Sequence, residues 1–188
     1  AFYLGTIEYY KLTHFDMNRL KFSILAVASA AALSTSAIEP LWLRDVKISP
    51  DGTHIAFTYK GDIYKVASSG GDAVRLTTQP SVEANPVWSA DSKLIAFASD
   101  RFGNNDIFVI DAQGGEPRRL SYNSLSEIPQ AFSPDGKYVY FTANNQKPAV
   151  SALYPGVLFE LYRVAVEGGR AEQVLPTPAE ALSFASDG

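Results

Sequence analysis

The segment SPDGTHIAF, residues 49–57, decides the fold of this chain, because the sequence repeats its pattern. A Ser-x-Asp tetrapeptide followed by an apolar run returns as SADSKLIAF at 89–97 and as SPDGKYVYF at 133–141. A looser tetrapeptide, ASDG, stands at 185–188, so successive aspartates are 40, 44 and 52 residues apart. A period of this length indicates an array of repeated supersecondary units.

Each unit continues with the same three features after its first apolar run. They are a second apolar run that starts with an acidic residue, a Gly-Gly pair, and an ending of the Arg-Leu-Thr type. The second runs lie at 62–66, 106–110 and 160–164, the Gly-Gly pairs at 70–71, 114–115 and 168–169, and the endings at 75–77, 119–121 and, more loosely, 173–175. Turn residues between short β-prone runs predict four strands per unit. Four strands in about 40–45 residues, apolar on both faces, are typical of a β-propeller blade.

The predicted fold class is therefore all-β, a β-propeller fragment with three four-stranded antiparallel blades plus the start of a fourth. The partial propeller is expected to occupy residues 38–188. Its blades are expected at about 41–80, 81–124 and 125–178, with the fourth begun at 179–188.

The third unit carries an insertion from Asn144 to Phe159, which we interpret as a surface or pore-rim loop. Propellers close into rings of about 4–8 blades. Because three blades would leave apolar strands uncovered at each end, we expect the natural protein to continue beyond Gly188.

Residues 17–37, MNRLKFSILAVASAAALSTSA, have the three-part pattern of a secretory signal peptide. Two basic residues precede a twelve-residue apolar run, and small residues at 35–37 predict cleavage after Ala37. The alternative is a membrane anchor, but a spanning helix needs about 20 apolar residues. We therefore expect a periplasmic or secreted protein that meets the membrane only during export.

Residues 1–16 precede this predicted signal peptide and begin with Ala, whereas Met17 starts it. Because targeting segments are usually terminal, we interpret residues 1–16 as a non-native upstream segment. A genuine N-terminal extension is the alternative.

The composition restricts the classes of function. The 188 residues carry a net charge of −4, without the clustered basic face that a nucleic-acid partner requires. The sequence contains no cysteine, which excludes disulfides, thiol nucleophiles and cysteine-ligated zinc.

Several motifs resemble the WD-like propeller repeat of TolB and of tricorn-type peptidases. They are ISPDG at 48–52, NPVWS at 85–89, FASDR at 97–101, FGNNDIF at 102–108 and the Gly-Gly and Arg-Leu-Thr endings. The resemblance covers about residues 40–188. TolB would begin with a small α/β domain before its propeller, for which residues 38–45 leave no room, so the chain looks most like the N-terminal propeller of an exported tricorn-like serine peptidase.

This resemblance implies a non-catalytic scaffold that guides or gates peptide substrates to a downstream serine peptidase domain missing from this chain. The full-length protein would then be a serine peptidase, with peptide or protein partners and a possible homo-oligomeric state. The first alternative is a TolB-like envelope propeller that binds a protein and has no enzyme activity. The second is the propeller cap of a prolyl-oligopeptidase-type hydrolase.

Candidate catalytic and metal-binding residues are few, and we predict no catalytic, cofactor-binding or metal site in the chain. His14 precedes the predicted signal peptide, and His54 is interpreted as a solvated turn residue, so a Ser-His-Asp triad is not expected. Lysine-assisted serine chemistry stays open, but no motif singles out a pair. Asp100, Asn104, Asn105 and Asp106 supply oxygen atoms, yet they lack the spacing of a calcium loop and are interpreted as hairpin residues.

The remaining conspicuous side chains are given structural roles. Asp100 and Arg101 are predicted to form a charge-assisted pair between strands, and Arg75 and Arg119 to act in the same way. Trp42 and Trp88 are predicted to be core anchors between blades.

Overall fold

The computed structural model describes residues 42–144, 159–179 and 182–184. The predicted signal peptide, residues 1–16, most of the insertion in the third unit and the tetrapeptide 185–188 lie outside these ranges. None of the described residues forms a helix of the length and hydrophobicity that crossing a membrane requires.

The described chain forms three separate antiparallel sheets of four strands, each in simple sequence order. This arrangement confirms the prediction of an all-β partial propeller with three four-stranded blades. Blade 1 contains β1 (Arg44–Ile48), β2 (His54–Tyr59), β3 (Asp62–Ala67) and β4 (Val74–Arg75). Blade 2 contains β5 (Glu83–Trp88), β6 (Leu94–Ser99), β7 (Asp106–Asp111) and β8 (Arg118–Arg119). Blade 3 contains β9 (Glu127–Phe132), β10 (Tyr138–Asn144), β11 (Phe159–Ala165) and β12 (Glu172–Pro178).

The repeated Ser-x-Asp tetrapeptide closes the turn between the first two strands of each blade. In blade 1, the Ser49 hydroxyl donates to Asp51 Oδ1 at 2.5 Å and accepts from the His54 main-chain N–H at 2.9 Å. Asp51 Oδ1 also accepts from the Thr53 main-chain N–H at 3.0 Å. The same bonds occur in blades 2 and 3 around Ser89 and Ser133. The motif repeats because its side chains satisfy the polar groups of the turn.

The fourth position of the tetrapeptide requires a left-handed backbone. Its φ is +72° at Gly52, +60° at Ser92 and +70° at Gly136. Glycine adopts this region without steric cost, which explains its presence in two of the three turns.

The apolar core lies between adjacent blades. One cluster, between blades 1 and 2, includes Ile63, Trp88 and Phe97, and a second, between blades 2 and 3, includes Ala96 and Phe141. Neighbouring residues of β6 therefore enter different clusters, so blade 2 is covered on both faces, as successive apolar positions predict. Complete burial of a side chain as large as Ile or Phe contributes about 1.5–3 kcal/mol.

The two tryptophans have different environments. Trp88 is buried in the first cluster, which confirms its predicted role as an anchor between blades. The prediction for Trp42 is wrong, because its side chain is 73% exposed. Trp42 lies before β1 at a φ of +78°, where its ring is 5.8 Å from the Arg44 guanidinium carbon instead of packing in a core.

Candidate functional site

The first strands of the three blades converge on a central cleft of about 230 Å³. β1 contacts β5, and β5 contacts β9, so these strands lie side by side although they belong to different sheets. Each contributes three consecutive residues to the cleft, namely 45–47, 85–87 and 128–130. Convergence of loops and inner strands is the usual basis of binding sites in propellers.

An irregularity in each first strand shapes this central cleft. The pairing register shifts between Arg44 and Lys47 in β1, between Ala84 and Val87 in β5, and at the corresponding part of β9. Asp45 and Asn85 occupy matching positions in β1 and β5, with φ values of +51° and +54°. Bulges of this kind interrupt the ladder and redirect side chains, and they are frequent beside binding sites.

One hydrogen bond links the bulges of blades 1 and 2, and two others hold a bulge to its own blade. Asp45 Oδ2 accepts from the Asn85 main-chain N–H and from the Thr58 hydroxyl, each at 3.2 Å. On the other side of the cleft, Gln130 Nε2 donates to the Thr142 hydroxyl at 3.1 Å. With Lys47, these groups give the cleft a carboxylate, an ammonium and amides beside the apolar Val, Pro and Ile residues of its lining. Such a surface can hydrogen-bond an extended main chain while covering apolar side chains.

The family match follows from the repeated blades. The family described as the tricorn protease N-terminal beta propeller domain matches residues 40–188. The chain belongs to this family. This match confirms the resemblance drawn from the repeat motifs.

Relatives of this tricorn-family propeller include proteins named TolB. A TolB homologue of Chlorobium luteolum is 32% identical over 83 residues, which are 44% of this chain and 18% of that protein. The structure of TolB from Agrobacterium tumefaciens has 28% identity and a TM-score of 0.57, covering 71% of this chain and 46% of its own. The tricorn protease structure has 22% identity and a TM-score of 0.63, covering 79% of this chain and 15% of its own, and supports the fold alone. The chain thus spans less than half the length of each of these relatives.

His54 is the described histidine of the tricorn-family propeller, and it lies at the turn into β2. Its Nδ1 is 2.7 Å from the hydroxyl of the adjacent Thr53. This places the ring in a local turn contact, as predicted, and away from the residues that line the central cleft. His14 lies outside the described residues.

The oxygen-bearing residues of the 100–106 loop have separate structural partners. Asp100 Oδ1 accepts from the Val82 main-chain N–H at 2.8 Å, and Asn104 Nδ2 donates to the carbonyls of Asn123 and Leu125. Gly103 has a φ of +103°, as expected of a hairpin residue. Within the described residues, no group of three or more His, Cys, Asp or Glu is arranged to hold a metal ion.

Two of the predicted arginine roles are confirmed and one pairing is wrong. Arg75 and Arg119 each bind the first residue of the third strand of their blade, Asp62 and Asp106, at 2.8 Å. Arg101 does not pair with Asp100, because its guanidinium lies 3.1 Å from Glu83 Oε1. Arg101 lies in the turn after β6, where its Nε donates to the Ser99 hydroxyl at 2.9 Å, and the pairing of β5 with β6 brings Glu83 opposite Ser99.

The sequence reasoning missed two buried carboxyl groups, Glu83 and Glu127. Each begins the first strand of its blade, six residues before the serine of the tetrapeptide, and both side chains are fully buried. Their equal spacing from that serine is the signal that would have identified them. Burial raises the pKa of Glu127 to about 7, opposed by the Ser121 hydroxyl and reinforced by Asp106. Burial also raises the pKa of Asp106, although Arg119 acts in the opposite direction.

Proposed function

We propose that this chain is the peptide-binding propeller portion of an exported, tricorn-like serine peptidase, and that it guides or gates peptides to a peptidase domain elsewhere in the full-length protein. The observation that carries the proposal is the central cleft between the three bulged first strands. It combines hydrogen-bonding groups with apolar walls, which suits an unfolded peptide better than a small charged metabolite. The family match to the tricorn N-terminal propeller supports the same assignment.

Peptide binding is tested on the 188-residue chain with fluorescein-labelled, unfolded casein as the probe. Replacing Lys47 and Gln130 together by Ala removes an ammonium and an amide from the cleft lining, so we expect at least fivefold weaker binding by fluorescence anisotropy. Lys93→Ala, at the exposed turn between β5 and β6, is the matched control and should bind casein normally. Equal binding by the cleft variant and the control would contradict the proposal.

Guiding is tested separately in the full-length protein. The Lys47 and Gln130 variant should reduce kcat/KM for casein while hydrolysing a short chromogenic peptide at the normal rate. The 188-residue chain by itself should not hydrolyse casein, since the proposal places the catalytic residues elsewhere.

A TolB-like propeller that binds an envelope protein without enzyme activity is the second candidate. The observation in its favour is the 32% identity to the TolB homologue and the 28% identity to the TolB structure, both above the 22% identity to the tricorn protease structure. A full-length protein that binds casein but has no peptidase segment would support this candidate over the first.

Both candidates require export, which is also part of the proposal. Cell fractionation should find the protein in the periplasm or the medium, and N-terminal sequencing of the mature form should begin at Ile38. Retention of the sequence 17–37 in the mature protein would contradict a cleaved signal peptide.

A further inference from the structure

The interface between blades 1 and 2 buries two carboxyl groups and supplies each with a guanidinium. Asp62 is bound by Arg75 at 2.8 Å, and Glu83 is bound by Arg101 at 3.1 Å. The Ser99 hydroxyl adds a third contact to the same cluster, donating to Glu83 Oε1 at 3.1 Å. The charges of the two acids and the two arginines therefore balance at this interface.

The interface between blades 2 and 3 has the same two carboxyl groups but a different set of partners. Asp106 forms an ion pair with Arg119 at 2.8 Å, as Asp62 does with Arg75. Glu127 takes the position of Glu83, and its Oε2 accepts a short hydrogen bond from the Ser121 hydroxyl. Its Oε1 has no hydrogen-bond partner among the described residues, although the residue is 0% exposed. Glu83 Oε2 also has no hydrogen-bond partner there, but Glu83 is paired with Arg101.

The missing partners of Glu127 can be identified by comparing the repeats. Ser99 lies opposite Glu83, whereas Ala143, which has no hydroxyl, lies opposite Glu127. Arg101 follows Ser99 by two residues, and the sequence has the uncharged Asn145 two residues after Ala143. Among the described groups, both acids of the first interface therefore have a guanidinium partner, whereas at the second interface Asp106 has one and Glu127 has none.

Glu127, which has no guanidinium partner among the described residues, lines a second cleft, of about 280 Å³, between blades 2 and 3. Ser121 and Asn123 supply further polar groups to its lining, and Tyr122 and Arg170 stand at its surface. Tyr122 is 71% exposed, and its ring lies 4.4 Å from the Arg119 guanidinium carbon. We refer to this feature as the interblade cleft.

We propose that the interblade cleft binds the guanidinium of an arginine side chain supplied by a peptide or partner protein, with Glu127 as its carboxyl partner. In blade 2, Glu83 occupies the position that Glu127 has in blade 3, and it accepts a hydrogen bond from the Arg101 guanidinium. A guanidinium is planar and weakly hydrated, so it suits a buried carboxyl better than an ammonium. The interblade cleft shares no lining residue with the central cleft, so this proposal is independent of the proposed peptide guiding.

The charged groups around Glu127 determine how pH affects this binding. Asp106 from β7 favours a bound cation, whereas Arg119 from β8 and Arg170 at the surface oppose one. Because the pKa of Glu127 is raised to about 7, its carboxyl is largely protonated at pH 6 and ionised at pH 8. A guanidinium binds the ionised form, so its affinity should rise severalfold between these pH values.

Binding is tested by NMR titration of the 188-residue chain with N-acetyl-arginine amide. N-acetyl-citrulline amide is the matched ligand, since it has nearly the same shape and no charge. We expect the arginine compound to bind at least tenfold more tightly at pH 8, and Glu127→Gln to remove this preference. Arg170→Ala should bind it at least as well as the unmodified chain.

A second variant gives a gain of binding. Arg101→Ala leaves Glu83 without its guanidinium, so the variant should bind a second equivalent of the arginine compound and recover thermal stability in its presence. Equal binding of the arginine and citrulline compounds, or unchanged arginine binding by Glu127→Gln, would overturn the proposal. If Glu127→Gln does not fold, the ligand comparison and the pH profile of the unmodified chain decide the question.

Discussion

The indole Nε1 of Trp88 donates a hydrogen bond to the main-chain oxygen of Lys47, 3.0 Å away. Trp88 ends β5 and Lys47 lies in β1, so the bond joins the inner strands of two blades that share no ladder of their own. The Lys65 ammonium makes a similar connection to the carbonyl of Ala112 in blade 2. Contacts of this kind, together with the apolar clusters, hold one blade against the next.

Replacing Trp88 by Phe tests the indole bond. Phe keeps an aromatic ring in the cluster but has no N–H, so the free energy of unfolding should fall by about 1 kcal/mol or more, measured by urea denaturation. Tyr122→Phe changes an exposed ring outside this cluster and should leave stability nearly unchanged. No loss in Trp88→Phe would show that the bond to Lys47 contributes nothing measurable.

The two matched ion pairs should differ in their importance. Asp106 is fully buried, so Arg119→Met leaves an uncompensated charge and should lower the free energy of unfolding by about 3–5 kcal/mol. Arg75 is far more exposed than Arg119, so solvent screens its pair with Asp62 and Arg75→Met should have a clearly smaller effect. Equal losses in the two variants would contradict this dependence on burial.

Glu127 should make the protein less stable as the pH rises. Its pKa is about 7 in the folded state and 4.5 ordinarily, so the folded state holds a proton that the unfolded chain releases. Stability is therefore lost as the pH rises from about 4.5 through 7, by on the order of 3 kcal/mol. Glu127→Gln should remove this loss and be more stable than the unmodified chain at pH 8.

Urea denaturation at pH 5 and pH 8 measures this difference. Glu116→Gln, in the exposed hairpin between β7 and β8, is the control and should keep the original pH dependence. An identical pH dependence in Glu127→Gln and the control would show that Glu127 does not titrate in this range.

Asp51 should affect stability in the opposite direction. Hydrogen bonds from the Ser49 hydroxyl, the Thr53 main-chain N–H and the Thr53 hydroxyl lower its pKa from 3.8 to about 2. The contribution of ionised Asp51 to the stability of the folded state is complete above pH 3.8 and is lost as the pH falls toward 2. Asp51→Asn should therefore have a lower melting temperature at pH 7, and the difference should shrink between pH 4 and pH 2. Asp72→Asn, in the exposed hairpin between β3 and β4, should show no such convergence.

The turn chemistry explains why the fold was predictable. In each Ser-x-Asp turn, the side chains bond to groups no more than five residues away, as Ser49 does with Asp51 and His54. Local bonds of this kind leave a pattern that can be read without knowledge of the tertiary structure. The same holds for the Arg75 pair with Asp62, since the two residues belong to adjacent strands, β3 and β4, of one hairpin.

The environment of Trp42 was not predictable in the same way. Its aromatic character indicated a core anchor, but whether a neighbouring sheet covers it depends on the path of the chain before β1. Trp88 has the same chemistry and is buried because blade 1 packs against it.

By itself, the sequence determined the four-strand order and the turns of the three blades that the structure describes, because those features rest on hydrogen bonds and apolar periodicity within one unit. Only the tertiary structure decided which carboxyl group Arg101 binds. Arg101 adjoins Asp100 in the chain, yet it binds Glu83, because strand pairing and burial bring those two groups together. The same packing leaves Glu127 buried opposite Ala143, since the contacts between blades depend on how separate sheets stack and not on the residues next in sequence.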